Sequence, residues 1–372
     1  MTARPGPAPA PAGQPATASA AGATGGAVLP TGARGAAGGS AGEERAAVVV
    51  LRALGLGDLL TGVPALRALR RACPGRRLLL AAPARLAEAA AATGVVDGLL
   101  PTTAADREVP DRVPWTGPPP ELAVDLHGNG PASLAPLRAL APARLLGYAL
   151  PGAPPWREDE PERARWCRLL AAHGIPAADP DDLRITAPAA SPAPGAVVLH
   201  PGADAAARRW PADRFAAVGR ALRAAGHRVA VTAGRGEAAL ARAVADAAGL
   251  PAGQVLGGDR DLPFGELCGL LAGARALVAG DTGPAHLATA LGAPSVVLFG
   301  PVSPRVWGPP PGPRHRVLFR PGPDERDLVR PGDAHGRRPD PRLLRITPDD
   351  VLTALAGLGV TLGADRPERA RA

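Results

Sequence analysis

The chain has 372 residues, of which 42 are basic and 34 acidic, giving a formal net charge of +8; every basic residue is arginine. At roughly 150 residues per domain this length suggests two domains and a tail, and a hydrophobic content of 46% excludes a wholly disordered chain. The lack of lysine excludes Schiff-base chemistry, pyridoxal-phosphate catalysis and a P-loop, while the permanent arginine charge favours anionic partners such as diphosphates or an anionic lipid surface.

Residues 1–44 are rich in Ala, Gly, Pro, Ser and Thr and read as a disordered tail. The G-x-S-x-G match at 38–42 has no strand before it and no helix after it, so it is compositional. Order is expected from Ala46. A β-branched strand at 48–51 leads through a glycine turn into a helix over 58–72, whose Leu59, Val63, Leu66 and Leu69 keep helical spacing. Strand 78–81, helix 83–92, short strand 99–100, strand 122–126 and helix 131–140 follow. Residues 187–195 form a Pro/Ala linker, after which the alternation restarts: strand 197–200, helix 211–225, strand 229–232, helix 237–248, helix 264–272, strand 276–279, helix 285–291 and strand 295–299. Residues 300–341 read as irregular, a last helix is expected near 348–358, and the end of the chain, 362–372, as frayed. Strands alternating with amphipathic helices predict an α/β fold: two Rossmann-like domains with parallel sheets, 46–186 and 196–345, a closing helix within 346–361, and a ligand cleft at the carboxyl ends of both sheets.

Cys73, Cys167 and Cys268 lie far apart with no metal-type spacing, so neither a disulfide framework nor structural zinc is expected. No stretch reads as a membrane span or a signal peptide, and a soluble cytoplasmic protein is expected. With one tyrosine and four phenylalanines, stacking platforms for nucleic acid are scarce, and no nucleic-acid partner is expected.

Three strand-end loops carry the chemistry. In the first, Arg52–Asp58, Gly55 and Gly57 let the backbone approach a ligand; Asp58 is either a helix cap or a general base toward a substrate hydroxyl. Leu60 stands where a dinucleotide fingerprint needs its third glycine, which disfavours NAD. In the second, His200, Pro201 and Gly202 end a strand, and Arg208 and Arg209 precede a Trp-Pro helix entry; the pair is either a phosphate clamp or a solvated basic turn. In the third, Asp281, Thr282, Gly283, Pro284 and His286 open a helix whose free amides face the cleft, a ready anion site, with His286 in its first turn either part of that site or a satisfied structural histidine. Glu237, after a further turn, is placed either to accept ribose hydroxyls or as an exposed helix start. His127 and Asn129 surround another N-terminal turn, on the acceptor side, and Asp125 reads as structural.

Taken together, LRALGLGDLLTGVPALRAL (51–69), LHPGA…RRWPADRFAAV (199–218) and AGDTGPAHLATALGAPSVVLFGP (279–301) resemble glycosyltransferase family 9, whose best-known members are ADP-heptose:lipopolysaccharide heptosyltransferases. The resemblance runs from about Val48 to Leu358. It implies a GT-B fold, inverting transfer without a metal or other cofactor, and a donor held mainly by the C-terminal half. The family's catalytic aspartate falls on Asp58, and its basic residue before Trp-Pro, usually lysine, on Arg208. Its donor loop falls on Asp281, Thr282, Gly283 and His286, and its nucleoside glutamate on Glu237. The partners implied are a nucleoside-diphosphate sugar, ADP-heptose-like, and a glycan or lipid-linked acceptor, with peripheral contact at an anionic membrane surface as a further expectation from the charge. A nucleotide-sugar epimerase-like enzyme of the same fold, or a non-catalytic nucleotide-sugar binder, are the alternatives.

Overall fold

Five consecutive buried residues, Ala47–Leu51, form β1 at the centre of the first sheet of the computed structural model, which describes residues 46–104, 108–176 and 179–362. The expected tail at 1–44, its G-x-S-x-G match and the chain end after Leu362 lie outside the described residues. After β1 come α1 (Leu56–Thr61), α2 (Val63–Ala72), β2 (Arg77–Ala82), α3 (Ala87–Ala92), β3 (Gly98–Pro101), β4 (Leu122–Asp125), α4 (Pro131–Arg138), β5 (Arg144–Leu146) and α5 (Glu162–Ala172). The second half runs through β6 (Val197–His200), α6 (Ala212–Ala224), β7 (Val229–Ala233), α7 (Ala238–Ala248), β8 (Val255–Gly257), α8 (Phe264–Ala272), β9 (Ala276–Gly280) and α9 (Gly283–Leu291). It closes with β10 (Ser295–Phe299), α10 (Pro304–Trp307), β11 (His315–Phe319), α11 (Pro341–Leu344) and α12 (Pro348–Ala356).

Every described strand pairing is parallel. The first sheet has the order β3-β2-β1-β4-β5 and the second β11-β10-β9-β6-β7-β8, both within one compact unit. In each sheet the strand order reverses beside the first strand, between β1 and β4 and between β6 and β9. The loops leaving those neighbours diverge and open a crevice at the carboxyl edge. Near-continuous apolar strands follow from helices covering both faces. In the second sheet, Val197, Leu199, Val231 and Val278 pack with α6, α7 and α12 on one side, while Val198, Leu277 and Val297 pack with α8 and α9 on the other.

The structure departs from the expected elements in instructive places. The helix expected over 58–72 is two helices, because Pro64 lacks the N–H that the Leu60 carbonyl would accept, and the ladder opens at Gly62. The irregular region 300–341 contains α10 and an edge strand, β11. β5 and β8 are three residues each, too short to show a period. α5 hides its period because Glu162 and Arg165 lie on its buried side. Residues 187–195 carry no regular element and lie along α8: a Cβ on Gly269 would fall 2.3 Å from the Ala190 carbonyl oxygen. No described helix is long and apolar enough to cross a membrane.

Candidate active site

The first loop begins where β1 ends. Arg52 turns its side chain into the core, and the chain makes a tight turn that brings Gly55 to the start of α1. Asp58 sits in the first turn of that helix and is only 5% exposed. One of its oxygens, Oδ2, accepts the Gly55 amide at 3.0 Å, so the capping interaction expected of a first-turn acid is made. Asp58 also lines a cavity between the two halves, so capping and a place in the cleft coexist. Asp125, at the end of β4, accepts the His127 and Gly128 amides and the Ser133 hydroxyl, and burial pushes its carboxyl up from the usual range against those bonds. It is structural, as its place in the strand suggested.

On the C-terminal side, the Asp281 carboxylate joins two of the singled-out residues. Its Oδ2 lies 3.2 Å from Arg208 Nη1 and its Oδ1 3.4 Å from His286 Nε2. Gly280 is required here: a Cβ would meet the Arg208 carbonyl oxygen at 2.9 Å. Thr282 caps α9 with its backbone, Gly283 is the first helical residue, and Pro284 has no N–H to give. The Ala285 and His286 amides turn back to the Thr282 carbonyl, so the Thr282 and Gly283 amides are the donors that this helix start aims outward. His200 is buried at the end of β6, its Nδ1–H donating to the Thr232 carbonyl at 3.2 Å, which leaves Nε2 as an acceptor. Burial lowers its pKa, with Glu237, the Thr232 carbonyl and Asp204 opposing, so it is neutral at pH 7. Glu237 accepts the Gly234 amide at 2.9 Å. Gly202 is the position that admits its carboxylate, since a Cβ would stand 1.9 Å from Oε2.

The two sides meet across α1 and α9. A Cβ on Gly57 would lie 2.6 Å from His286 Cδ2, and one on Gly283 would lie 3.4 Å from Leu56 Cβ. Beside this contact opens a cavity of about 430 Å³. Gly55, Gly57 and Asp58 line it from one half; His200, Arg208, Glu237, Asp281, Thr282, Gly283, Pro284 and His286 line it from the other. Pro201, Gly202, Arg209, His127 and Asn129 do not line it. Arg209 points Nε and Nη2 at the Ala203 carbonyl, and His127 Nδ1 accepts the Ala53 amide. Asn129 is exposed.

Sequence reasoning missed several lining residues. Arg85 and Leu86 follow β2, while Asp261, Leu262 and Phe264 follow β8, a strand too short to be read. Recognising β8 would have placed 258–264 at the carboxyl edge. Trp307, edge-on to the His286 ring with centroids 5.9 Å apart, stood in the region read as irregular; a tryptophan is itself a signal in a chain only 3% aromatic. Among the described residues, no three His, Cys, Asp or Glu side chains are grouped to hold a metal ion.

Residues 164–328 match the family Glycosyltransferase family 9 (heptosyltransferase). That stretch is what is similar to the family: it runs from α5 through β11 and contains His200, Arg208, Glu237, Asp281 and His286, while Asp58 precedes it. Similar solved structures extend the likeness over the rest. Escherichia coli ADP-heptose lps heptosyltransferase II is 20% identical with a TM-score of 0.63, covering 84% of this chain and 98% of that one. A glycosyl transferase family 9 protein from Veillonella parvula is 18% identical with a TM-score of 0.66, over 86% and 98%. The E. coli heptosyltransferase WaaC with ADP is 16% identical with a TM-score of 0.60, over 84% and 99%. No curated protein matches. The fold is therefore GT-B.

Proposed function

We propose that the protein is an inverting, metal-independent glycosyltransferase that moves a heptose-like sugar from a nucleoside-diphosphate donor to a hydroxyl of a glycan or lipid-linked acceptor in the cytoplasm. The supporting observation is that Asp58, from one half, and the Arg208 guanidinium with the start of α9, from the other, line a single cavity. Asp58 takes the acceptor proton as the acceptor oxygen attacks the anomeric carbon, and the bond to the diphosphate breaks on the opposite face. Charge develops on the leaving diphosphate. Arg208 gives Nη1 to Asp281 and supplies its permanent charge to the diphosphate; the Thr282 and Gly283 amides add the helix-start field. Glu237 accepts ribose hydroxyls, and neutral His200 offers Nε2 as an acceptor. The E. coli structure solved with ADP makes an adenine nucleotide the first donor to try.

A screen of ADP-, GDP- and UDP-sugars, read by nucleoside diphosphate release with candidate acceptors, tests the reading. Release should require an acceptor and persist in chelator. Asp58→Asn should bind ADP like the parent while turnover falls ~10³-fold. Acceptor-independent rearrangement of the sugar nucleotide, or parental turnover in Asp58→Asn, would overturn it.

A further inference from the structure

Arg52 is the first residue after β1, yet its guanidinium does not reach solvent: the side chain is 0% exposed. It joins the end of β1 to three other pieces of the N-terminal half. Nε donates to the Asp58 main-chain carbonyl and Nη1 to the Leu126 carbonyl just beyond β4. Nη2 donates to Thr61 Oγ1 at 3.3 Å, in α1, and to Glu162 Oε1 at 3.1 Å, in α5. The anchor on α5 is itself braced. Glu162 also pairs with Arg165 and accepts Trp166 Nε1 at 2.8 Å. The Trp166 ring lies 5.0 Å from the Arg52 guanidinium and packs edge-on to Tyr148 and Trp156.

We propose that Arg52 is a positioning residue for the transfer reaction, holding the Asp58 peptide from behind while its carboxylate faces the cavity. The proposal rests on the reading of Asp58 as the base. Burying a guanidinium is unfavourable, and a leucine would fill a core site with less penalty. What distinguishes this one is its target. α1 has six residues and is interrupted at Gly62, too short to hold itself in place. The Asp58 carbonyl instead collects three donors: Arg52 Nε, Thr61 Oγ1 at 3.0 Å and the Gly62 amide at 3.2 Å. Gly62 makes the approach possible, since a Cβ would lie 3.2 Å from both Cδ and Nε of Arg52. The Thr61 and Gly62 bonds hold the carbonyl within α1, and Arg52 alone ties it to β1, to the end of β4 and to α5, while the donor-side residues belong to the other half.

The test compares Arg52→Met, Arg52→Lys and Thr61→Val with the parent, using kcat, donor KM, ADP affinity and melting temperature. Arg52→Met should lower kcat ~10²-fold, the loss expected of a displacement near 1 Å, with donor KM and ADP affinity held within about twofold. Arg52→Lys, which keeps the charge but not the fork, should recover part of that loss. Thr61→Val should lower kcat a few-fold. In an Asp58→Asn background, Arg52→Met should remove little of the residual rate, because two residues acting as a unit are not additive. A kcat within threefold of the parent in Arg52→Met, an equal loss in the Asp58→Asn background, or a parallel loss of ADP affinity overturns the proposal. If Arg52→Met does not fold, parental kcat in both Arg52→Lys and Thr61→Val overturns it equally. Parental turnover in Asp58→Asn sinks the base reading itself; loss there with Arg52→Met unaffected sinks only the brace.

Discussion

The two walls of the cavity are built on different principles. The N-terminal wall is two glycines and two leucines, Gly55, Leu56, Gly57 and Leu86, with one braced carboxylate and Arg85. Its buried charges, Arg52, Glu162 and Arg165, stand behind it and serve position. The C-terminal wall carries its charges at the surface of the cavity: Arg208 with Asp281 and His286, and Glu237 beside His200. A wall of the first kind fixes one group; a wall of the second kind meets a polyanionic ligand. On this contrast, damage to the N-terminal wall lowers turnover with donor binding kept, and damage to the C-terminal wall weakens donor binding, with turnover falling too where Arg208 or the start of α9 is touched.

After the loss expected of Asp58→Asn, a large effect comes where the walls touch. Gly57→Ala places a Cβ 2.6 Å from the His286 ring, which Trp307 and Asp281 hold, so α1 and α9 must part. A kcat loss of ~10²-fold is expected, with stability lowered by about 1–3 kcal/mol; a change confined to donor KM would break the contrast. Gly202→Ala acts on the donor wall alone by expelling the Glu237 carboxylate. Donor KM should rise ~10-fold, about 1.4 kcal/mol, with kcat retained in steady-state assays.

Stability against pH sharpens the same contrast. Burial lowers the pKa of His200 and His315 in the C-terminal half below 6.5, and that of His173 at the end of α5 in the N-terminal half. Below 6.5 the unfolded chain binds protons that the folded one refuses, so stability is flat above that value and falls as pH drops beneath it. The slope is ~1.4 kcal/mol per pH unit for each histidine until its folded pKa is reached. Asp125, in the N-terminal half, has the opposite sign: its raised pKa contributes stability below 3.8 that is lost as pH rises through the folded value. Urea titrations from pH 7.5 to 5 should show the fall, and His315→Gln should flatten it. The smallest effect is in the thiols. Burial pushes Cys167 and Cys268 up to about 12, so native protein at pH 8 should alkylate first at half-buried Cys73, as peptide mass mapping would show.

Much of this was legible in sequence because short-range chemistry encodes it. Valine-rich strands, the Gly55–Asp58 turn and the Thr282–Pro284 helix entry follow from local preference, and each strand end lands at the carboxyl edge once the sheets are parallel. The paired arginines show the limit. Arg208 and Arg209 are adjacent and identical in type, yet one lines the cavity and the other closes on Ala203. His127 and Asn129 follow a strand end and still miss the cavity. Side-chain direction depends on partners distant in the chain.

The sequence by itself determined the two alternating α/β halves and the loops that end their central strands, since period, glycine and proline act within a few residues. Only the tertiary structure decided that Arg52 is a buried brace and not a surface charge, and that His286 reaches across to Gly57. It also decided that Asp261, Leu262 and Phe264 join the cavity. Those outcomes turn on contacts between segments more than a hundred residues apart, such as Arg52 with Glu162 and Gly57 with His286, which no local pattern records.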